Sequence, residues 1–225
     1  MSKTSLSRSV ETPPGPRAGN ELPTVYLIDD DYRVLKALKQ LLLSHGYWVK
    51  AYSSVRLFLA QHSLSTPGCI LTDLVMPNSD GLDLQRALHA RGAHQPVIFM
   101  SGKGTTPEAV DAMKGGALDY LCKPVQEETL IAALETAFVM DALHRDARRR
   151  LALLSPRENQ VLRLLLTGRL NKQVAFECGI TERTVKYHRT NLMAKLAVCS
   201  IAEVSQLVFR AGWDADTLPA TDSAA

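Results

Sequence analysis

Four short apolar runs in the first half of the chain each end on a polar or charged residue. Val25–Ile28 ends at Asp29, Cys69–Thr72 at Asp73, Val97–Met100 at Ser101, and Leu118–Cys122 at Lys123. Trp48–Tyr52 is a fifth strand-like run. Helical patterns lie between them: Val34, Leu35, Leu38, Leu41 and Leu42 recur at helical spacing up to Gly46, and further helices are expected over Val55–Gln61, Leu82–Ala90, Glu108–Lys114 and from Gln126 onward. Strands alternating with helices imply a parallel sheet covered on both faces, since parallel neighbours need crossovers. With right-handed crossovers this is an α/β doubly wound five-stranded parallel sheet.

No Pro or Gly interrupts the stretch from Gln126 to Arg150, so one long helix is expected there. Leu130, Ile131, Leu134 and Phe138 can pack on the sheet, whereas His144–Arg150 reads as too polar to pack and as the linker. From Ser155 the pattern is all helical. Ser155-Pro156-Arg157-Glu158 supplies an N-cap, a first-turn proline and an acid, and Gly168 and Gly179 close two short helices. Thr181 caps a third helix, and Ser200–Phe209 forms a fourth. The expected second unit is therefore an all-α four-helix domain whose second and third helices form a helix-turn-helix. The domain reading is a disordered arm over 1–23, a sheet domain over 24–136, a helical linker over 137–153, a helix-turn-helix domain over 154–211 and a flexible tail over 212–225.

Charge separates the two units. Thr24–Val125 holds 10 Lys and Arg against 9 Asp and Glu, whereas Ser155–Arg210 holds 9 against 4. A compact basic module points to a phosphate-rich partner such as nucleic acid. No apolar run reaches the roughly 18–20 residues of a membrane span, and Met1–Pro23 has no apolar signal core, so no membrane role is expected. Cys69, Cys122, Cys178 and Cys199 are scattered without a CxxC pair, which fits a reducing, cytoplasmic setting better than a zinc or disulfide framework.

In an open parallel sheet, chemistry gathers beyond the carboxyl ends of the strands where strand order reverses. Asp29, Asp30, Asp73, Ser101 and Lys123 stand at those ends. Each alone is an ordinary cap or turn residue. Together, three acids call for a hard divalent cation such as Mg²⁺, which needs only one or two direct carboxylates, while the lysine and hydroxyl suit a phosphoryl group on one carboxylate.

The first half of the chain resembles the receiver domain of two-component response regulators. The motifs are Leu27-Ile-Asp29-Asp30-Asp31, Leu71-Thr-Asp73-Leu-Val-Met-Pro77 with Asp80-Gly81, Met100-Ser101-Gly102, and Asp119-Tyr120-Leu-Cys-Lys123-Pro124, within about Thr24–Thr136. The resemblance implies a flavodoxin-like fold with Asp73 as phosphoacceptor and a sensor histidine kinase as phosphodonor. It further implies that Asp30, Asp73 and the backbone carbonyl of Val75 hold Mg²⁺, with Asp29 acting largely through water. By the same resemblance Ser101 and Lys123 bind the phosphoryl oxygens, and Tyr120 is the switch aromatic.

The basic module carries a second resemblance. Its third helix can turn Val185, Leu192, Met193 and Leu196 to the bundle and Lys186, Tyr187, Arg189, Thr190 and Lys195 outward. Leu154–Glu158, Asn171-Lys172, Thr184–His188 and Lys195-Leu196 look like the LuxR-type DNA-binding domain of NarL/FixJ regulators, over about Leu154–Ala211. That resemblance implies Lys186, Tyr187 and Thr190 at base edges, with Asn171, Lys172, Thr184, Arg189 and Lys195 towards the DNA backbone. Cys199 and Ile201 depart from the basic residues common at their positions. The implied function is a phosphorylation-dependent transcriptional regulator, activation being the commoner outcome in the family. It dimerises and binds double-stranded promoter DNA, and RNA polymerase is a further partner the resemblance allows. Two rivals are an aspartyl-phosphate phosphohydrolase and a phosphorylation-independent DNA-binding protein. The hydrolase normally places a second acid two residues after its nucleophile, where this chain has Val75.

Overall fold

The computed structural model describes residues 23–63, 66–76, 81–102, 106–213 and 218. Nearly all of the expected arm and part of the expected tail lie outside them, as do Pro77 and Asp80.

Five strands form one parallel sheet: β1 (Thr24–Ile28), β2 (Trp48–Tyr52), β3 (Cys69–Asp73), β4 (Val97–Ser101) and β5 (Asp119–Cys122), in the order β2-β1-β3-β4-β5. Between them run α1 (Tyr32–Ser44), α2 (Val55–Gln61), α3 (Gly81–Ala90) and α4 (Thr106–Lys114), and α5 (Glu127–Leu151) follows β5. The chain leaves β1 towards β2 on one side and returns to β3 on the other, so β1 and β3 flank the switch point where ligands collect. Their register pairs Ile28 with Thr72, which brings Asp29 and Asp73 out side by side.

The sheet is buried on both faces. Val25, Leu27, Leu71, Ile98 and Met100 pack against α1 and α5 through Leu35, Leu42, Leu130 and Leu134. Tyr26, Ile28, Ile70 and Phe99 pack on the opposite side with Val55, Phe58, Leu84 and Ala112 from α2, α3 and α4. Asp31 caps α1 by accepting the amide of Arg33 at 2.8 Å, so the third acid of the run is spent on helix initiation. At Gly81 any Cβ would lie 2.5 Å from the Phe99 ring, so only glycine lets α3 begin this close to β4.

The second unit contains α6 (Pro156–Leu166), α7 (Asn171–Cys178), α8 (Glu182–Leu196) and α9 (Ile201–Arg210). Ser155 and Glu158 close a capping box at the start of α6. Gly179 ends α7 in the left-handed region at φ 64°, and Thr181 caps α8, giving the tight turn of a helix-turn-helix.

The distal half of α5 departs from the sequence expectation. Ala147 and Leu151 are buried in the core of the second unit with Leu162, Val204 and Val208. They are four residues apart on one face, while the side chains of Arg149 and Arg150 extend sideways from it. Arg145 pairs with Asp141 at 2.9 Å, and Arg149 and Arg150 pair with Asp146 at 2.6 and 2.7 Å. Within the stretch expected to be a tail, Trp213 and Leu218 also pack against this core.

Candidate functional site

Asp29, Asp30 and Asp73 converge, with one carboxylate oxygen from each lying within 4.8 Å of the others. Asp29 is fully buried, Asp30 is exposed and Asp73 is partly exposed, so the cluster forms a cleft with a dry floor and a wet rim. Lys123 closes it, its Nζ donating to Asp29 Oδ2 at 2.7 Å and Asp73 Oδ2 at 2.6 Å. The other oxygens are oriented by the backbone: Asp29 Oδ1 accepts the Asp31 amide at 2.9 Å, and Asp73 Oδ1 accepts the Val75 amide at 3.2 Å.

Burial holds the Asp29 carboxyl above the usual carboxylate range, although Lys123 and the Asp31 amide pull it down and Asp73 pushes it up. Burial also opposes the Lys123 charge. The two carboxylates outweigh it, and the ammonium stands above the ordinary lysine value. Three carboxylates with one fixed cation among the described residues leave an excess of negative charge among hard oxygen donors, which is the chemistry Mg²⁺ requires.

Ser101 is buried at the end of β4, where its carbonyl accepts the Lys123 amide at 2.8 Å. That bond locks the ends of β4 and β5 together, with Ser101 in register with Cys122. Tyr120 is half-buried in β5, and its hydroxyl is buried without a hydrogen-bond partner among the described residues. Val75 lies just beyond β3, with its side chain exposed.

In the second unit Val185, Leu192 and Leu196 are buried and Met193 packs against them. Lys186, Tyr187 and Thr190 are exposed on the other side of α8, Tyr187 being 64 % accessible. Thr184 and Arg189 flank that face half-buried, and Asn171 and Lys172 open α7. Arg183 is also exposed in the first turn of α8, three residues before Lys186 and seven before Thr190. Its place on this face was available from helical periodicity and went unused.

Lys195, expected towards the DNA backbone, is partly exposed and also forms an ion pair within the domain. Its Nζ donates to Oε2 of Glu158 at 2.7 Å, a carboxylate that is itself buried. A buried carboxylate must be paired, and this lysine from α8 supplies the cation.

Comparison with known proteins agrees with both halves of this geometry. Residues 25–135 match the family model for the response regulator receiver domain, and residues 152–208 match that for bacterial regulatory proteins of the luxR family. The response regulator protein TodT of Pseudomonas putida is 42% identical over 193 residues, covering 83% of this chain and 85% of TodT. The transcriptional regulatory protein FixJ of Azorhizobium caulinodans is 42% identical over 195 residues, covering 84% of this chain and 92% of that protein. Among solved structures, the response regulator StyR superposes with a TM-score of 0.56 at 38% identity, over 84% of this chain and all of StyR. Full-length FixJ from B. japonicum gives 0.51 at 36% identity, over 84% of this chain and 97% of that one. The chain thus belongs to the two-component response regulators of the NarL/FixJ type, transcriptional regulators that join a receiver domain to a LuxR-type DNA-binding domain.

Proposed function

We propose that Asp73 accepts a phosphoryl group from the phosphohistidine of a sensor histidine kinase, and that this modification brings two copies of the chain together on promoter DNA. The observation that carries the reading is the Lys123 ammonium bonded at once to Asp29 and Asp73, with Asp30 completing the acidic cluster at the β1–β3 switch point. Asp30, Asp73 and the Val75 carbonyl would hold Mg²⁺, with Asp29 acting largely through water. The ion supplies neutralisation of the charge that builds on the equatorial phosphoryl oxygens.

The protein's own groups do the rest. The Asp73 carboxylate attacks phosphorus in line while the donor imidazole leaves. The amide of Val75 holds one Asp73 oxygen in place, and Lys123 turns from that carboxylate to the incoming oxygens. The acyl phosphate carries nearly two negative charges where the carboxylate carried one, and presents new acceptors, which draw the Ser101 hydroxyl inward. Tyr120, whose buried hydroxyl has no partner among the described residues, takes the space vacated, because an unsatisfied buried hydroxyl costs about 1–3 kcal/mol and favours any arrangement that relieves it. The change is a population shift between two packings of the α4–β5 face. Lys186, Tyr187 and Thr190 would then read base edges, flanked by contacts to phosphate from Asn171, Lys172, Thr184, Arg189 and Lys195.

The chain is on this reading a cytoplasmic phosphoacceptor that assists its own phosphorylation and dephosphorylation, and no enzyme acting on outside substrates. Val75 stands where a phosphohydrolase would carry its proton donor. No single helix among the described residues is long and apolar enough to cross a membrane. Sedimentation velocity before and after treatment with a small-molecule phosphodonor and Mg²⁺, paired with footprinting on genomic promoter fragments, tests the whole sequence of events. Dimerisation with newly protected paired half-sites is expected; protection of equal extent without the phosphodonor would contradict it.

A further inference from the structure

The seam where α5 passes from the sheet domain to the helical domain is bound on both sides. Asp141 of α5 accepts the amide of Gly68, just before β3, at 3.2 Å. One turn on, His144 Nδ1 lies 3.3 Å from the His94 carbonyl. A further turn on, Arg148 Nε donates to the Ala211 carbonyl beyond α9 at 2.8 Å, with its guanidinium 5.6 Å from the Trp213 ring centre. The His94 ring lies so close to Gly212 that any Cβ there would be 2.3 Å from its Nδ1.

A cavity of about 230 Å³ opens at this seam, lined by Thr66, His94, Gln95, His144, Arg148 and the Asp141–Arg145 pair. Two of its lining residues each carry a buried polar atom with no hydrogen-bond partner among the described residues: the Nη2 of Arg148, a donor, and the Oε1 of Gln95, an acceptor. Gln95 is fixed in this orientation because its Nε2 already serves the Thr66 carbonyl at 2.6 Å and His62 Nε2 at 2.8 Å.

The charge is unbalanced in the same way. Asp141 is taken by Arg145 and by the Gly68 amide, and Asp146 by Arg149 and Arg150. Arg148 has no carboxylate partner among the described residues, and burial pushes its guanidinium below the ordinary arginine range. Water can satisfy the two orphaned atoms but not the charge, and a half-buried cation with no counter-ion among the described residues is costly.

We propose that this cavity binds a small oxyanion that retains one protonated oxygen, hydrogen phosphate being the simplest, between Arg148 and Gln95. An ionised oxygen accepts from Arg148, and the remaining hydroxyl donates to Gln95 Oε1, so both orphans are met by one ligand. Bound there, the anion ties α5 to the edge of the sheet and to the end of α9, and so favours the arrangement of domains seen here over any in which the seam is open.

Trp213 reports on the site directly, and Trp48 is the only other tryptophan in the chain. The test uses the full-length Trp48→Phe chain, free of Mg²⁺, titrated with sodium phosphate at constant ionic strength and neutral pH. A saturable change in Trp213 fluorescence is expected. Sulfate, which has no protonated oxygen at that pH, should bind about tenfold more weakly, the equivalent of one hydrogen bond. Adding Asp73→Asn should leave the titration unchanged, which separates this site from the phosphoacceptor pocket. Gln95→Glu, placing a carboxylate against the anion, should abolish saturation while circular dichroism shows a folded chain, and Arg148→Met should do the same. No saturation with phosphate, or saturation that survives both Gln95→Glu and Arg148→Met, would overturn the proposal.

Discussion

Lys195 of the recognition helix is bonded to Glu158, 37 residues earlier, at 2.7 Å. Glu158 also accepts the Ser155 amide through Oε2 at 2.7 Å, so a single carboxylate joins the start of α6 to the end of α8. Desolvation opposes its charge, but Lys195 and Ser155 together hold its carboxyl below the ordinary glutamate value. The pair therefore fixes the angle at which α8 is presented.

Glu158→Gln is expected to lower the stability of the helical domain by about 1.5–3 kcal/mol, the worth of a hydrogen bond to a charged group. Since the folded carboxyl titrates below the 4.5 of the free group, this contribution is complete above that pH and is lost as the pH falls through the folded value. Urea melts of wild type and variant at pH 7 and pH 3.5 check this: the gap between them should narrow in acid.

Asp29→Asn should stabilise the receiver domain while removing its divalent-ion affinity. A buried carboxylate facing Asp73 is raised in pKa, so its ionised form is a net burden at neutral pH, full there and relieved as the pH falls through the raised value. Thermal melts without metal are expected to show a gain of about 0.5–2 kcal/mol, the usual range when functional strain is removed. A loss of stability would contradict the assignment of Asp29 to a site kept for function.

Lys186→Ala should weaken specific DNA binding by about 1–3 kcal/mol and relax discrimination at one base position. Lys172→Ala, at the opening of α7, should instead weaken specific and random DNA alike and reduce the slope of log affinity against log salt by about one. Salt titrations of both variants separate the two roles. An unchanged ratio of specific to random affinity in Lys186→Ala would remove that residue from base reading.

Lys123→Ala is expected to leave Asp73 open to modification by a small-molecule phosphodonor but to blunt dimerisation, because the ammonium that carries the new charge to Ser101 and β5 is gone. Sedimentation of the phosphorylated variant measures this, and full dimerisation would count against Lys123 as the transmitting contact.

Most of the sheet domain was legible because its strands are apolar runs that stop at Asp29, Asp73, Ser101 and Lys123, and a buried parallel strand needs that pattern. Trp48–Tyr52 and Val55–Gln61 have the same bounds in sequence and structure. The acidic cluster was legible for a topological reason, since strand ends meet wherever order reverses. The distal part of α5 was not. Its composition from His144 to Arg150 is polar, and only the partner helices reveal that Ala147 and Leu151 form a buried stripe between arginines paired along the helix. The Lys195–Glu158 pair was not legible for the same reason: periodicity gives the face of a helix, but not the distant carboxylate that pairs with a side chain on it.

The central claim is that Asp73 is esterified beside a divalent cation, and intact mass tests it most directly. Wild type incubated with a small-molecule phosphodonor and Mg²⁺ should gain the mass of one phosphoryl group, and neither Asp73→Asn nor the metal-free wild type should gain it. An adduct of equal yield in Asp73→Asn would contradict the account.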